Sequence, residues 1–122
     1  MKESGENYLE TIYMLSQHSD GVHAIDVANA LGFSKPSVTR ALGILKNKGF
    51  IFIDDENHIV LTSEGGKKAK EIYDRHQIIT RFWVLHGVSE SIATEDACRM
   101  EHDISEETLA CIKKFVKQHD QY

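Results

Sequence analysis

Residues 50–61 read Phe50-Ile51-Phe52-Ile53, Asp54-Asp55-Glu56-Asn57, His58-Ile59-Val60-Leu61. A β-branched and aromatic run, a polar turn cluster and a second apolar run predict two short strands in a hairpin. An isolated two-stranded hairpin is marginal in water and needs a helical layer to lean on. The segments before it must supply that layer, which restricts the fold to helices followed by a hairpin.

Those segments have helical periodicity. Over residues 4–17, opened by Ser4, the apolar residues Tyr8/Leu9, Ile12/Tyr13 and Leu15 recur at three- and four-residue spacing. Asn7 and Glu10 lie at the edge of that stripe, and as a lone pair they would face solvent. Ser19-Asp20-Gly21 breaks the helix. A second, short helix runs from His23 to Leu31, with Asp26 placed to suit its dipole and Gly32 to end it. A third starts at Ser34, a good N-cap, with Pro36 in the first turn, where its missing N–H costs nothing. Val38, Ala41, Leu42 and Leu45 form its buried stripe, and Ser37, Thr39, Arg40 and Lys46 point away. Gly49 closes it.

Two short helices around a glycine turn form a helix-turn-helix pattern, and a hairpin behind the second helix makes it a winged helix. The formal net charge of −5 argues against nucleic acid only until it is divided along the chain. Residues 34–53 hold Lys35, Arg40, Lys46 and Lys48 and no acid, a basic island suited to a polyanion. The hairpin tip, Asp54 to Asn57, is acidic and is assigned no base contacts.

A long helix follows, about Glu64 to His86, with Ala69, Ile72, Tyr73, Ile79, Phe82, Trp83 and Leu85 on a broad apolar face. Its length exceeds what a winged helix needs, so it continues into a second domain. Gly87-Val88-Ser89 turns the chain into a helix from about Glu90 to Asp103. Ser105 with Glu106 and Glu107 starts a last helix that buries Leu109, Ile112, Phe115 and Val116 and frays from Lys117 onward. The expected architecture is mostly α with a small β-hairpin. Residues 1–63 form a winged helix-turn-helix DNA-binding domain and 64–122 a helical metal-binding and dimerisation domain, joined by the long helix 64–86. Phe82, Trp83, Leu85, Leu109, Ile112 and Phe115 exceed what so small a helical unit can bury alone, which predicts a homodimer through it.

Within the second domain, Cys98, Glu101 and His102 stand at i, i+3 and i+4. On a helix those positions share one face. A thiol, a carboxylate and an imidazole there are donors for a transition metal. Three donors do not complete a site, so others must come from elsewhere. Cys98 and Cys111 are the only cysteines, too few for a disulfide framework, and point to a reduced, cytoplasmic setting; Cys111 is expected only to pack. No apolar run approaches the roughly 18 residues of a membrane span.

The sequence resembles the metal-dependent repressors typified by the diphtheria toxin repressor and the manganese transport regulator. The resemblance runs nearly end to end. It is carried by Glu6-Asn7-Tyr8-Leu9-Glu10-Thr11-Ile12, by Ser34-Lys35-Pro36-Ser37-Val38-Thr39-Arg40, by Arg75-His76 and most specifically by Asp96-Ala97-Cys98-Arg99-Met100-Glu101-His102. Long family members add a C-terminal barrel; this sequence ends before one and is like the two-domain members. The resemblance implies metal ligands Asn7, Glu10, His76, Cys98, Glu101 and His102, and a DNA-facing set of Ser34, Lys35, Pro36, Ser37, Thr39, Arg40 and Lys46. In the family the Cys98 position is Glu in manganese regulators and Cys in iron regulators. Asn7 stands where the former more often have Asp and the latter Met. Thr80 and Thr94 stand where iron regulators carry the acid and the histidine of an ancillary site.

The expected function is a repressor that binds operator DNA as a homodimer when a divalent metal links its domains. Iron(II) is favoured and manganese(II) comes next, with cobalt(II) and zinc(II) possible. Two rivals stand beside it. One is a winged-helix regulator indifferent to metal. The other is a metal-dependent hydrolase, for which the chain offers no nucleophile elbow or Gly-rich loop.

Overall fold

The computed structural model describes residues 5–120. The expected helix start at Ser4 and the last two residues, Gln121 and Tyr122, lie outside the described residues; the fraying expected from Lys117 onward is not found as far as His119, which is still helical. The order is α1 (Gly5–Ser16), α2 (Ala24–Leu31), α3 (Lys35–Asn47), β1 (Ile51–Ile53), β2 (Ile59–Leu61), α4 (Ser63–Leu85), α5 (Glu90–Met100) and α6 (Glu106–His119). The chain divides into two compact units, Lys2–Lys70 and Glu71–Tyr122, with the boundary inside α4.

In the first unit α1 packs on α2 and α3, and both α3 and α1 pack on the hairpin. Its buried side chains include Leu9, Ile12, Val27, Val38, Leu42, Leu45, Ile51 and Ile59. Each such burial contributes about 1.5–3 kcal/mol against exposure. The α2–α3 turn closes as expected. Gly32 takes a left-handed φ of 72°, and its N–H donates to the Ala28 carbonyl. The Ser34 hydroxyl accepts from the Ser37 N–H at 3.3 Å and starts α3. β1 and β2 pair antiparallel in the register Ile51↔Leu61, Phe52↔Val60, Ile53↔Ile59. One backbone bond fastens the hairpin to its unit, and another extends its own ladder by a rung. The Ile59 N–H donates to the Val22 carbonyl at 2.7 Å, and the Thr62 N–H to the Phe50 carbonyl at 3.0 Å. Thr62 then caps α4, its hydroxyl accepting from the Gly65 N–H. Gly65 is buried so close to β1 that a Cβ would overlap the Phe50 carbonyl.

At the hairpin tip Asp54 organises the turn. Its Oδ1 accepts the N–H groups of Glu56 and His58, both at 2.9 Å, and its Oδ2 lies 3.1 Å from His58 Nδ1. The backbone N–H of His58 is the main cause holding this carboxyl below its ordinary pKa. The acidic tip is therefore partly a turn device.

The second unit gathers the later part of α4 with α5 and α6. Ile79, Ala97, Leu109, Ile112 and Val116 form its core, with Phe82, Trp83, Leu85, Met100 and Ile104 half-buried against it. The Ser105 hydroxyl accepts from the Thr108 N–H at 3.1 Å, so α6 begins at the expected cap. A two-pronged ion pair, Arg81 Nε and Nη2 to the Asp120 carboxylate at 2.7 and 3.1 Å, anchors the end of α6 on α4.

α5 is shorter than expected, ending at Met100 rather than near Asp103. The N–H groups of Asp103 and Ile104 both return to the Met100 carbonyl, tightening the last turn. Ile104 then packs on the core and Ser105 takes the extended conformation that an N-cap requires. Cys111 also departs from expectation: it is exposed rather than packed, one position before the buried Ile112.

Candidate metal and DNA site

The four candidate ligands of the second unit come from two helices and the turn after one of them. His76 sits mid-way along α4, half-buried, and its Nε2 lies 3.1 Å from the Thr94 carbonyl. A carbonyl only accepts, so Nε2 carries the proton in that contact. Glu101 caps the C-terminus of α5, its side chain wholly out of water, and His102 Nε2 lies 3.3 Å from Glu101 Oε1. His76 and Glu101 each bring a donor atom within 4.8 Å of the other. Cys98 is half-buried on α5 and, with His76 and Glu95, lines a hollow of about 380 Å³.

Glu101 and His102 thus lie past the last residue of α5, not on a continuing helix face. Glu101 keeps helical angles (φ −58°, ψ −25°) and its N–H donates to the Ala97 carbonyl, so the i, i+3 relation to Cys98 survives. His102 belongs to the turn that follows. A buried carboxylate with His102 Nε2 at 3.3 Å and a donor atom of His76 within 4.8 Å suits a divalent cation, whereas Cys98 lines the neighbouring hollow and is not brought into that group. The group offers hard oxygen and borderline nitrogen together, and burial removes competing water.

In the first unit Asn7 and Glu10 are buried on α1, 5% and 6% exposed, which contradicts the solvent-facing expectation for a lone polar pair. Two polar side chains withdrawn from water on one short helix need a reason beyond helix propensity. On α3 and its cap, Ser34, Lys35, Pro36, Thr39, Arg40 and Lys46 are all exposed. Ser37 is half-buried, and its hydroxyl is 3.0 Å from that of Ser34.

Sequence reasoning missed two participants. The Thr94 carbonyl that orients His76 is backbone, and no residue type announces it. Glu95 lines the Cys98 hollow; its adjacency to the motif was the available signal.

Comparison with known proteins accounts for both units. Residues 1–59 match the family model for the N-terminal DNA binding domain of iron dependent repressors, and residues 62–121 that for their metal binding and dimerisation domain. The chain is 38% identical over 118 residues to the transcriptional regulator MntR of Escherichia coli O157:H7, covering 97% of this chain and 76% of that protein. It is 32% identical over 120 residues to an uncharacterised HTH-type transcriptional regulator, MJ0568, of Methanocaldococcus jannaschii, covering 97% and 96%. Among solved structures it resembles the manganese regulator SloR, with a TM-score of 0.85 at 25% identity over 96% of this chain and 55% of that one. A manganese-dependent transcriptional repressor in complex with manganese shares the fold, with a TM-score of 0.85 at 22% identity over 93% and 53%. The chain thus spans about half the length of these solved structures. Among the described residues no helix is long and apolar enough to cross a membrane. The matched models describe repressors that bind DNA, bind metal and dimerise, not enzymes. The chain belongs to the iron-dependent repressor family of metal-dependent transcriptional regulators, the family of the diphtheria toxin repressor and the manganese regulators.

Proposed function

We propose that this protein is a cytoplasmic homodimeric repressor that binds operator DNA when a divalent metal is held by Asn7, Glu10, His76, Cys98, Glu101 and His102. The observation that carries the metal role is the buried Glu101 carboxylate, with His102 Nε2 at 3.3 Å and a donor atom of His76 within 4.8 Å. Asn7 and Glu10 are added on the family resemblance and on their burial in α1. Residues 1–63 would serve DNA binding and 64–122 metal binding and dimerisation.

Each residue has its own task. Thr94 holds the His76 tautomer through its carbonyl. Cys98 must lose its proton, and the histidines must be neutral, before they can serve as ligands. Glu10 and Glu101 are acceptors whose charges need a cation between them. A bound divalent cation would supply that charge and tie α1 to the second unit. Lys35, Arg40 and Lys46 would contact phosphates, and Ser37, Thr39 and Arg40 base edges, with Ser34 and Pro36 shaping the entry of α3. A two-fold dimer would then meet half-sites about one helical turn apart, or a multiple of it.

Iron(II) is the favoured signal, because the Cys98 thiolate softens the site relative to an all-oxygen and nitrogen set. Manganese(II) is the second reading, supported by the fold shared with the manganese regulator SloR and with a manganese-dependent repressor. Cobalt(II) and zinc(II) should bind in vitro, zinc(II) more tightly than iron(II). The test is anaerobic DNA binding across a metal panel. Tight binding to a selected duplex only with metal supports the proposal; equal binding with a chelator would remove the metal role.

A further inference from the structure

A hollow of about 220 Å³ lies between the first turns of the two helices of the helix-turn-helix. Ala24 and Ile25 of α2 and Lys35, Val38 and Thr39 of α3 line it. Three of the five are aliphatic, none is acidic, and Lys35 is the one cation. Ile25 is 44% exposed, although the rest of α2 spends its larger aliphatic side chains inward: Val27 is fully buried and Leu31 half-buried. Among the described residues six large apolar side chains are left exposed, and Ile25 is the one that lines this hollow beside a basic helix. Lys35, Thr39 and the exposed Pro36 put the mouth of the hollow on the DNA-facing end of α3.

The chemistry of a duplex limits what can fill the hollow. Phosphates and sugar hydroxyls are polar, and base edges in the major groove offer hydrogen-bond donors and acceptors. The one apolar group that a base pair presents there is the thymine 5-methyl. The backbone beside that thymine is anionic, which suits Lys35 at the rim and the absence of acids among the lining residues.

Resting on the DNA-binding role proposed above, we propose that this hollow takes the 5-methyl group of a thymine in each half-site, so that Ile25 on α2 is a specificity-determining residue. α2 then does more than support α3: its first turn forms one wall of a base-reading pocket.

The test uses the full chain with metal. A duplex is first selected from a random library, and each thymine is then replaced singly by 2′-deoxyuridine, which deletes only the methyl. One thymine per half-site should weaken binding about fourfold when demethylated, the cost of one apolar carbon. Ile25→Ala should lose a similar factor on the thymine duplex and show no further loss on the deoxyuridine duplex. Ile25→Ala lies on a half-exposed site and is compared at equal thermal stability, with Ile25→Val as a second variant that keeps most of the effect. Three outcomes overturn the proposal: no thymine whose methyl matters, a deoxyuridine penalty unchanged in Ile25→Ala, or equal losses on random DNA. Failure to select any duplex is a separate result. It would remove the DNA-binding role itself and the hollow's occupant with it.

Discussion

Replacing Glu101 by glutamine separates a metal ligand from a structural ion-pair partner, because the two roles predict opposite signs without metal. The Glu101 side chain is wholly buried, with His102 Nε2 at 3.3 Å. Glutamine keeps the shape and one acceptor oxygen but removes the charge. A neutral amide costs less to withdraw from water than a carboxylate. If Glu101 is there for a cation, metal-free Glu101→Gln should be as stable as wild type or slightly more so. Metal at 100 times its dissociation constant should stabilise wild type by about 2.7 kcal/mol. For a chain of this size that is roughly 10 °C in Tm. The variant should lose most of that shift. The assay is calorimetry or a thermal shift with and without cobalt(II) or manganese(II), on the whole chain. If glutamine instead costs about 3–5 kcal/mol in the absence of metal, the carboxylate is the partner of a charged His102 and the ligand assignment fails. An undiminished metal shift in the variant would sink it equally.

Arg40→Ala should weaken binding to a selected duplex by about 1–3 kcal/mol while leaving off-DNA metal affinity unchanged. Equal losses on selected and random DNA, with a shallower salt slope, would make it a phosphate contact. Gly65→Ala should lower the unfolding free energy by about 1–3 kcal/mol, since the added methyl meets the Phe50 carbonyl and not a side chain that can swing away; an unchanged denaturation midpoint would mean that α4 shifts freely from β1. Cobalt(II) titration of wild type should give an intense near-ultraviolet thiolate charge-transfer band that Cys98→Ala lacks. Cobalt(II) binding without that band would take Cys98 out of the ligand set and turn the metal preference toward manganese(II).

The first unit was readable because its boundaries depend on chemistry carried by single residues. Ser34 as a cap, Gly32 with positive φ and the β-branched run before the Asp54 turn each act locally, and the structure uses each in that role. What was not readable depends on tertiary context. The stop of α5 at Met100 follows from where Ile104 and Ser105 must go, not from any helix breaker in Glu101-His102-Asp103. The exposure of Cys111 is decided by register: its neighbour Ile112 takes the core position, and adjacent residues on a helix point about 100° apart. Periodicity gave α6 its apolar face without saying that a cysteine beside that face would be left in water.

The metal site was readable as residue types and much less as geometry. Spacing placed Cys98, Glu101 and His102 within reach of one another because i, i+3 and i+4 are neighbours on any helical turn. It did not show that His102 leaves the helix and reaches Glu101 from the turn, or that a backbone carbonyl at Thr94 fixes the proton of His76. That carbonyl bears on Thr94 as well. His76 Nε2 donates to that backbone carbonyl one turn before Cys98. The family resemblance sets a histidine of the ancillary site at position 94. Here a threonine stands there, its own hydroxyl donating to the Glu90 carbonyl at 2.8 Å, and Thr80 likewise donates to the His76 carbonyl at 2.8 Å. Both hydroxyl protons are thus donated within their own helices. A second ion beside Cys98 would meet the Glu95 carboxylate and a neutral threonine where the family's ancillary site has a histidine, a weaker set than the buried one around Glu101.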